Sequence, residues 1–303
     1  MRRHLVGYAF ISPWLAGFCI FTAIPFVASI YLSFTRYNII TPPVWVGTAN
    51  YELLFGGDPL FWESLSVTLK YAMVAVPLGI VAGVSLALLL NLEIGGISVY
   101  RTIFYLPAIV PVVATSTIFI WILNPQIGLV NGLLRHIYIP RIPFTDWGGY
   151  HLVGPNWLND PDYALPSLVI MSLWAVGGSM IIYLAGLKDI PTSLFEAAMI
   201  DGASTIQRTR HITLPMLTPV IFFNLVMGII AAFQYFTQAY VIMNGGGGPE
   251  DSTYFYALYL FNRAWRYLDM GYASAMAWVL FLIIMAITGL VFRSHRRWVH
   301  YGG

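Results

Sequence analysis

Two stretches of the 303-residue sequence hold side chains whose types and spacing could do chemistry. In residues 188–215, Ser193 and Glu196, and again Ser204 and Gln207, stand three apart. That is the spacing of a capping box, in which a hydroxyl accepts from a helix's third amide and the Glu or Gln returns to the cap. Gly202 between them can take the left-handed conformation that ends a helix, so two short helices meeting at a sharp turn are expected. Leu194, Phe195, Ala198 and Met199 would give the first an apolar face; Arg208, Arg210 and His211 would give the second a basic rim. Such a knob either docks on a partner surface or lies as a capped connector on a bilayer. The second stretch offers Asn224, Gln234, Tyr235, Thr237, Gln238 and Tyr240. These uncharged amides, hydroxyls and rings suit a neutral polyol, and they serve equally well for bonding between helices. Trp174 with Gly177 and Ser179 allows either close helix approach or room for a ligand.

The elements that must position these groups are membrane helices. The chain is 58% hydrophobic and 9% charged, where a soluble domain carries roughly 25% charged residues. A net charge of +2 is too small to suggest nucleic acid. A spanning helix needs about 20 mostly apolar residues, and six segments qualify: about 8–34, 66–91, 102–124, 166–187, 216–243 and 271–293. An all-α, polytopic bundle of six transmembrane helices, forming one domain over residues 1–303, is therefore expected. The opening Arg2, Arg3 and His4 before an apolar run look like a signal peptide, but no charge falls from Leu5 to Thr35, which is long enough to span and favours a retained first helix. Short amphipathic helices are expected on the surface near 127–139 and 253–266. Pro107 and Pro111 should kink or unwind the third span.

Placement of Lys and Arg sets the expected orientation. With both termini inside, the short inner segments hold Arg2, Arg3, Arg101, Lys188, Arg208, Arg210, Arg293, Arg296 and Arg297, and the longer outer ones Arg36, Lys70, Arg135, Arg141, Arg263 and Arg266. Trp45, Tyr51, Trp62, Trp147, Trp157, Tyr163, Trp265 and Tyr267 cluster near the outer ends, where rings suit the headgroup layer.

Several chemistries are missing from the sequence. Cys19 is the one cysteine, so there is no disulfide within the chain, and the six histidines lack metal-ligand spacing. Glu93, Asp189 and Asp269 sit at span ends with no carboxylate at depth, against a self-contained ion-coupled carrier. No phosphate loop occurs; the two lysines, Lys70 and Lys188, follow no such motif. The chain is thus not expected to be an enzyme or to carry a cofactor.

Glu196, Ala197 and Ala198, then Gly202 after three residues and Ile212, Leu214 and Pro215 beyond a further nine, resemble at every position the EAA loop of binding-protein-dependent ABC importer permeases. The resemblance implies the type I importer permease fold. It makes residues 188–215 a coupling helix for a nucleotide-binding subunit, with Glu196, Ala197, Ala198, Asp201, Gly202, Leu214 and Pro215 as its contacts. Flanking motifs resemble the first permease of the sugar-uptake branch, of maltose and glycerol-3-phosphate type: Ser12-Pro13-Trp14, Asn50-Tyr51, Thr68, Arg101 to Pro107, Gly128 with Asn131, Gly245 to Pro249, Ser252-Thr253 and Arg297-Trp298. The large outer domain of some maltose systems has no counterpart here, so its contacts do not carry over. The implied partners are a second homologous permease, two ATPase subunits holding ATP and Mg, an extracytoplasmic sugar-binding protein and lipid, with the chain in the cell membrane and no nucleic acid involved. The implied pathway, lined from spans four and five, would include Trp174, Gly177, Ser179, Gln234, Tyr235 and Gln238. A non-sugar solute such as glycerol-3-phosphate is the alternative cargo.

Overall fold

The computed structural model describes residues 2–92, 94–139 and 150–300, with backbone alone for 2–9 and 139. Glu93, Arg141 and Trp147 lie outside the described residues. Along the chain run α1 (Arg2–Phe18), α2 (Ile24–Ser33), α3 (Ala49–Glu52), α4 (Pro59–Leu90), α5 (Ile97–Ile109), α6 (Val112–Ile122), α7 (Leu129–Leu134), α8 (Pro161–Leu173), α9 (Gly177–Lys188), α10 (Thr192–Ile200), α11 (Thr205–Arg208), α12 (Leu214–Phe233), α13 (Thr237–Ile242), α14 (Tyr256–Phe261) and α15 (Met270–Ser294). Two antiparallel two-residue ladders join Thr35–Arg36 to Val44–Trp45 and Tyr138–Ile139 to Tyr150–His151.

Four helical runs cross a membrane by length and composition: Phe10–Ser33, Pro59–Leu90, Thr205–Ile242 and Met270–Arg297. Two broken pairs, α5 with α6 and α8 with α9, bent by 96° and 45°, bring the number to six when each counts as one span. The break in the third span falls where proline demands it. Val110 is extended and Pro111, at φ −55° and ψ 135°, starts α6 afresh, because a proline ring offers no N–H and pushes the residue before it out of helical geometry. Pro107, three residues inside α5, is tolerated. The helix that opens the chain exposes large apolar side chains on all sides, Phe10, Trp14, Phe21 and Ile24 among them, as a lipid-facing helix does.

The chain divides into two compact units. The smaller comprises Met1–Trp62 and Tyr259–Ile283. Its loops are tied by Asn50, which donates to the Ser33 and Thr35 carbonyls at 2.8 and 2.9 Å, and by the Tyr51 hydroxyl on Ser33 Oγ at 2.8 Å. At its centre lies Asp58, 7% exposed. One carboxylate oxygen caps α4 by accepting from the Leu60 amide at 3.1 Å. The other accepts from the hydroxyls of Tyr259 and Tyr272 and meets Arg263 at 3.4 Å. Arg263 also donates to the Tyr259 hydroxyl at 2.9 Å and lies 4.8 Å over the Tyr272 ring.

The larger unit comprises Glu63–Leu258 and Ile284–Gly303. Its core packs Val84, Ala87 and Leu90 of α4 against Met180, Tyr183, Leu184 and Leu187 of α9, with Ile190 and Leu217. Thr68 Oγ1 accepts from the Tyr256 amide at 2.9 Å, and the Arg101 guanidinium donates to the Leu90 carbonyl at 2.8 Å. The expected surface helix near 253–266 is corrected here: Thr253, Tyr254, Phe255, Tyr256, Leu258, Tyr259 and Ala264 are all buried. Its apolar periodicity marked a core-facing segment, and periodicity does not reveal whether the other face is covered as well.

Burial alone raises the Asp58 carboxyl pKa, but the two phenol hydrogen bonds and Arg263 outweigh it and hold the group below the ordinary carboxylate value. A depressed folded-state pKa adds stability that is complete above the unfolded value, near 4, and is lost as pH falls through the folded value. Asp58→Asn is therefore expected to destabilise the chain by about 3 kcal/mol or more, since a partner is removed from a buried pair, and to lessen the fall in melting temperature expected of the wild type at acid pH in detergent. An unchanged melting temperature would rule this network out as an anchor.

Candidate functional site

In the larger unit a cavity of about 450 Å³ opens between α4, the α8–α9 break and the end of α12, within the range of roughly 300–1,000 Å³ typical of small-molecule sites. Its polar lining is wholly uncharged: Tyr71, Ser172, Ser179, Tyr183, Asn224 and Tyr235. The hydroxyls of Ser172 and Ser179 donate to the Val169 and Val176 carbonyls at 2.7 and 3.0 Å, and the Asn224 amide to Val220 at 2.9 Å. These bonds occupy donors and leave the acceptor lone pairs free. The Tyr183 hydroxyl is buried without a hydrogen-bond partner. That of Tyr235 lies near the Tyr71 hydroxyl without reaching hydrogen-bond geometry. The rings of Tyr71, Tyr235 and Phe255 form a triangle with centroid separations of 4.5, 4.7 and 5.2 Å. The arrangement can hydrogen-bond a hydroxylated solute and place rings against it; it has no cation for an anionic one.

Ser179 and Tyr235 from the sequence-derived pathway set line this cavity, whereas Trp174, Gly177, Gln234 and Gln238 do not. Trp174 is exposed and meets Phe119 edge-on at 5.8 Å. Gly177 serves helix packing: a Cβ there would lie 2.0 Å from the Phe104 carbonyl oxygen of α5. Gln234 is exposed at the end of α12. The break at residues 234–236, which no proline or glycine marks in the sequence, leaves Gln234 and Gln238 off the cavity that Asn224 and Tyr235 share. Tyr71, Tyr183 and Ser172 were missed, because single polar groups in apolar helices carry no local signal.

Residues 188–215 form the expected two-helix knob with one correction. Ser193 does not cap the first helix. Pro191, at φ −58° and ψ 129°, precedes α10, whose first residue is Thr192, and no side chain caps it; the ring-fixed φ starts the helix early and leaves Ser193 inside it. The second box is formed: Ser204 N–H donates to Gln207 Oε1 at 2.7 Å and Gln207 N–H to Ser204 Oγ at 3.4 Å. Gly202 has φ +75°. The Ala203 amide reaches the Ala198 carbonyl at 2.9 Å and the Gly202 amide that of Met199 at 3.1 Å, the paired bonds of a Schellman turn. The apolar face is divided. Phe195 and Ile212 pack inward on the α4–α9 core, while Met199, Ile200 and Ile206 point to solvent, the last two more than 75% exposed. Glu196, Ala197, Asp201 and Gly202 are exposed, Ala198 half-buried. Leu214 and Pro215 open α12, so the knob is continuous with the helix that carries Asn224.

The fold and these two features place the chain in a class. A model for the inner membrane component of binding-protein-dependent transport systems matches residues 75–300, and the chain belongs to that family: it is a multi-pass ABC importer permease component. The relatives are of the same kind. A probable ABC transporter permease protein, YesP, of Bacillus subtilis (strain 168) is 46% identical over 99% of this chain and 93% of its own length. The lactose transport system permease protein LacF of Rhizobium radiobacter is 33% identical, covering 96% and 94%. Among solved structures, a chain of a bacterial alginate ABC transporter in complex with alginate pentasaccharide-bound periplasmic protein superposes with a TM-score of 0.79 at 23% identity, over 98% of this chain and 96% of that one; this likeness establishes the fold.

Two glycine variants separate packing from turn geometry. Gly177→Ala must open the α5–α9 contact and is expected to cost about 1–3 kcal/mol. Gly202→Ala meets nothing within 4 Å and should lose only the left-handed penalty of about 1 kcal/mol. Thermal unfolding in detergent checks the order; a larger loss at Gly202 would contradict it.

Proposed function

We propose that this chain is one permease half of an ATP-driven sugar importer, with both termini in the cytoplasm, coupled through residues 188–215 to an ATPase subunit and working beside a second permease and an external sugar-binding protein. The observation that carries the reading is that one helix joins knob to cavity. α12 starts at Leu214 in the coupling loop and ends at Phe233, beside the cavity, a rigid lever of roughly 30 Å for 20 residues at 1.5 Å each. α9 ends at Lys188, where the loop begins, and starts at the Trp174–Val176 break. Displacement of the knob by a closing ATPase dimer is thereby delivered to the two breaks that border the cavity.

The chemistry fits these roles. Met199, Ile200 and Ile206 offer an ATPase cleft an exposed apolar tip that water disfavours, flanked by the carboxylates of Glu196 and Asp201. The chain has no phosphate loop, so ATP and Mg would be held by the partner. The uncharged cavity suits a neutral saccharide, in keeping with the lactose-system relative, and supplies no counter-charge for glycerol-3-phosphate.

Glu196→Lys is expected to leave membrane insertion intact and to weaken ATPase co-purification on the order of thirtyfold, the effect of a central interface residue. Ser179→Leu, which fills the cavity, should leave co-purification unchanged and reduce sugar uptake. Normal ATPase association of the Glu196→Lys protein, or normal uptake by the Ser179→Leu protein, would contradict the respective assignment.

A further inference from the structure

The last helix ends in a feature that neither cavity nor coupling loop uses. Beyond the apolar stretch of α15 come Arg293, His295, Arg296 and Arg297, the last three in a 3₁₀ turn. Gly289 and Arg293, at i and i+4, share one face of α15, and Arg296 and Arg297 follow in the turn that ends it. With Phe292 and His295 they line an open concavity of about 750 Å³. The three arginines are exposed, none forms an ion pair among the described residues, and the sequence has no acidic residue after Asp269. The turn is held rigidly from behind. Phe222 of α12 meets Phe292 edge-on at 5.0 Å, with His295 at 5.5 Å and Trp298 at 6.0 Å, and the His300 amide donates to Thr218 Oγ1 at 2.9 Å. A Cβ at Gly289 would meet nothing within 4 Å, so the concavity is open at that position, one turn before Arg293.

We propose that this face binds one anionic phospholipid, with its phosphate on Arg293, Arg296 and Arg297 and an acyl chain lying along Gly289 and Phe292. A basic mouth directly above an apolar groove, at the end of a membrane-length helix, has the two-part chemistry of a lipid and sits at headgroup depth. Guanidinium groups suit phosphate because they present paired N–H donors, and a basic cluster where a span leaves the membrane attracts anionic headgroups. An acidic protein surface would match the charge but would have no use for the groove below it.

The test titrates the purified full chain in detergent with phosphatidylglycerol or phosphatidylcholine and counts bound lipids by native mass spectrometry. The wild type should retain one phosphatidylglycerol in preference to phosphatidylcholine. R293Q/R296Q/R297Q should lose that preference by roughly fivefold per guanidinium, with phosphatidylcholine binding unchanged. R293K/R296K/R297K keeps the charge and should keep most of the preference, which separates loss of the site from loss of fold. Equal phosphatidylglycerol binding by wild type and the glutamine variant would overturn the proposal. So would displacement of the lipid by inorganic phosphate at equal concentration, which would make the site one for the free anion, or its exclusion when ATPase subunits are added, which would assign the face to a protein.

Discussion

Inside a bilayer a backbone amide or carbonyl without a partner has no water to turn to, at a cost of several kcal/mol, and the arrangement of this chain follows from that. Irregular backbone at membrane depth is tolerated only where it is buried in protein or borders a cavity. Three spans are interrupted here, at residues 110–111, 174–176 and 234–236, and each interruption is stitched by turn bonds: Val110 to Pro107, Val176 to Leu173 and Tyr235 to Ala232, at 3.2–3.3 Å. Two of the three border the same uncharged cavity. The breaks are thus where the chain can bend without losing backbone hydrogen bonds, and a binding cavity is where such bending has a use.

The same economy explains the loop at residues 188–215. A knob in water at the end of a span could be a passive connector, but this one is anchored and presented at once. Phe195 and Ile212 tie it to the core beneath, the Schellman turn at Gly202 and the capping box at Ser204 stiffen it, and the exposed isoleucines are left to meet something else. α9 enters the loop and α12 leaves it, so the loop lies on the chain between the two helices that border the cavity.

Much of this was legible in residues read locally. Apolar run length pointed to a helical membrane bundle of four to six spans; Pro111 marked the sharper of the two bends, and Gly202, Ser204 and Gln207 marked the turn, because each acts within its own few residues. What was not legible depends on distant partners. Asp58 looks like an ordinary loop carboxylate until Tyr259, Arg263 and Tyr272 arrive from some 200 residues away. Residues 253–266 have an amphipathic pattern whose second face is covered as well. Ser193 was misread because Pro191 starts the helix earlier than a hydroxyl cap would. Asn50, Thr68, Arg101 and Asn131, which resembled family motifs of unstated purpose, prove to tie loops and helix ends to backbone atoms. At the cavity, residue type was a fair guide and facing was not: Ser179, Asn224 and Tyr235 share it, while Gln234 and Gln238, equally polar, are turned away by the break between them.

In the proposed importer, solute moves through this chain only when ATP is hydrolysed on a partner. The most direct measurement is uptake of labelled sugar into proteoliposomes holding the chain alone, or the chain with its second permease, ATPase subunits and binding protein, with ATP or an ion gradient as the energy source. Uptake is expected only by the complete set and only with ATP. Gradient-driven uptake by the chain alone would contradict the proposal.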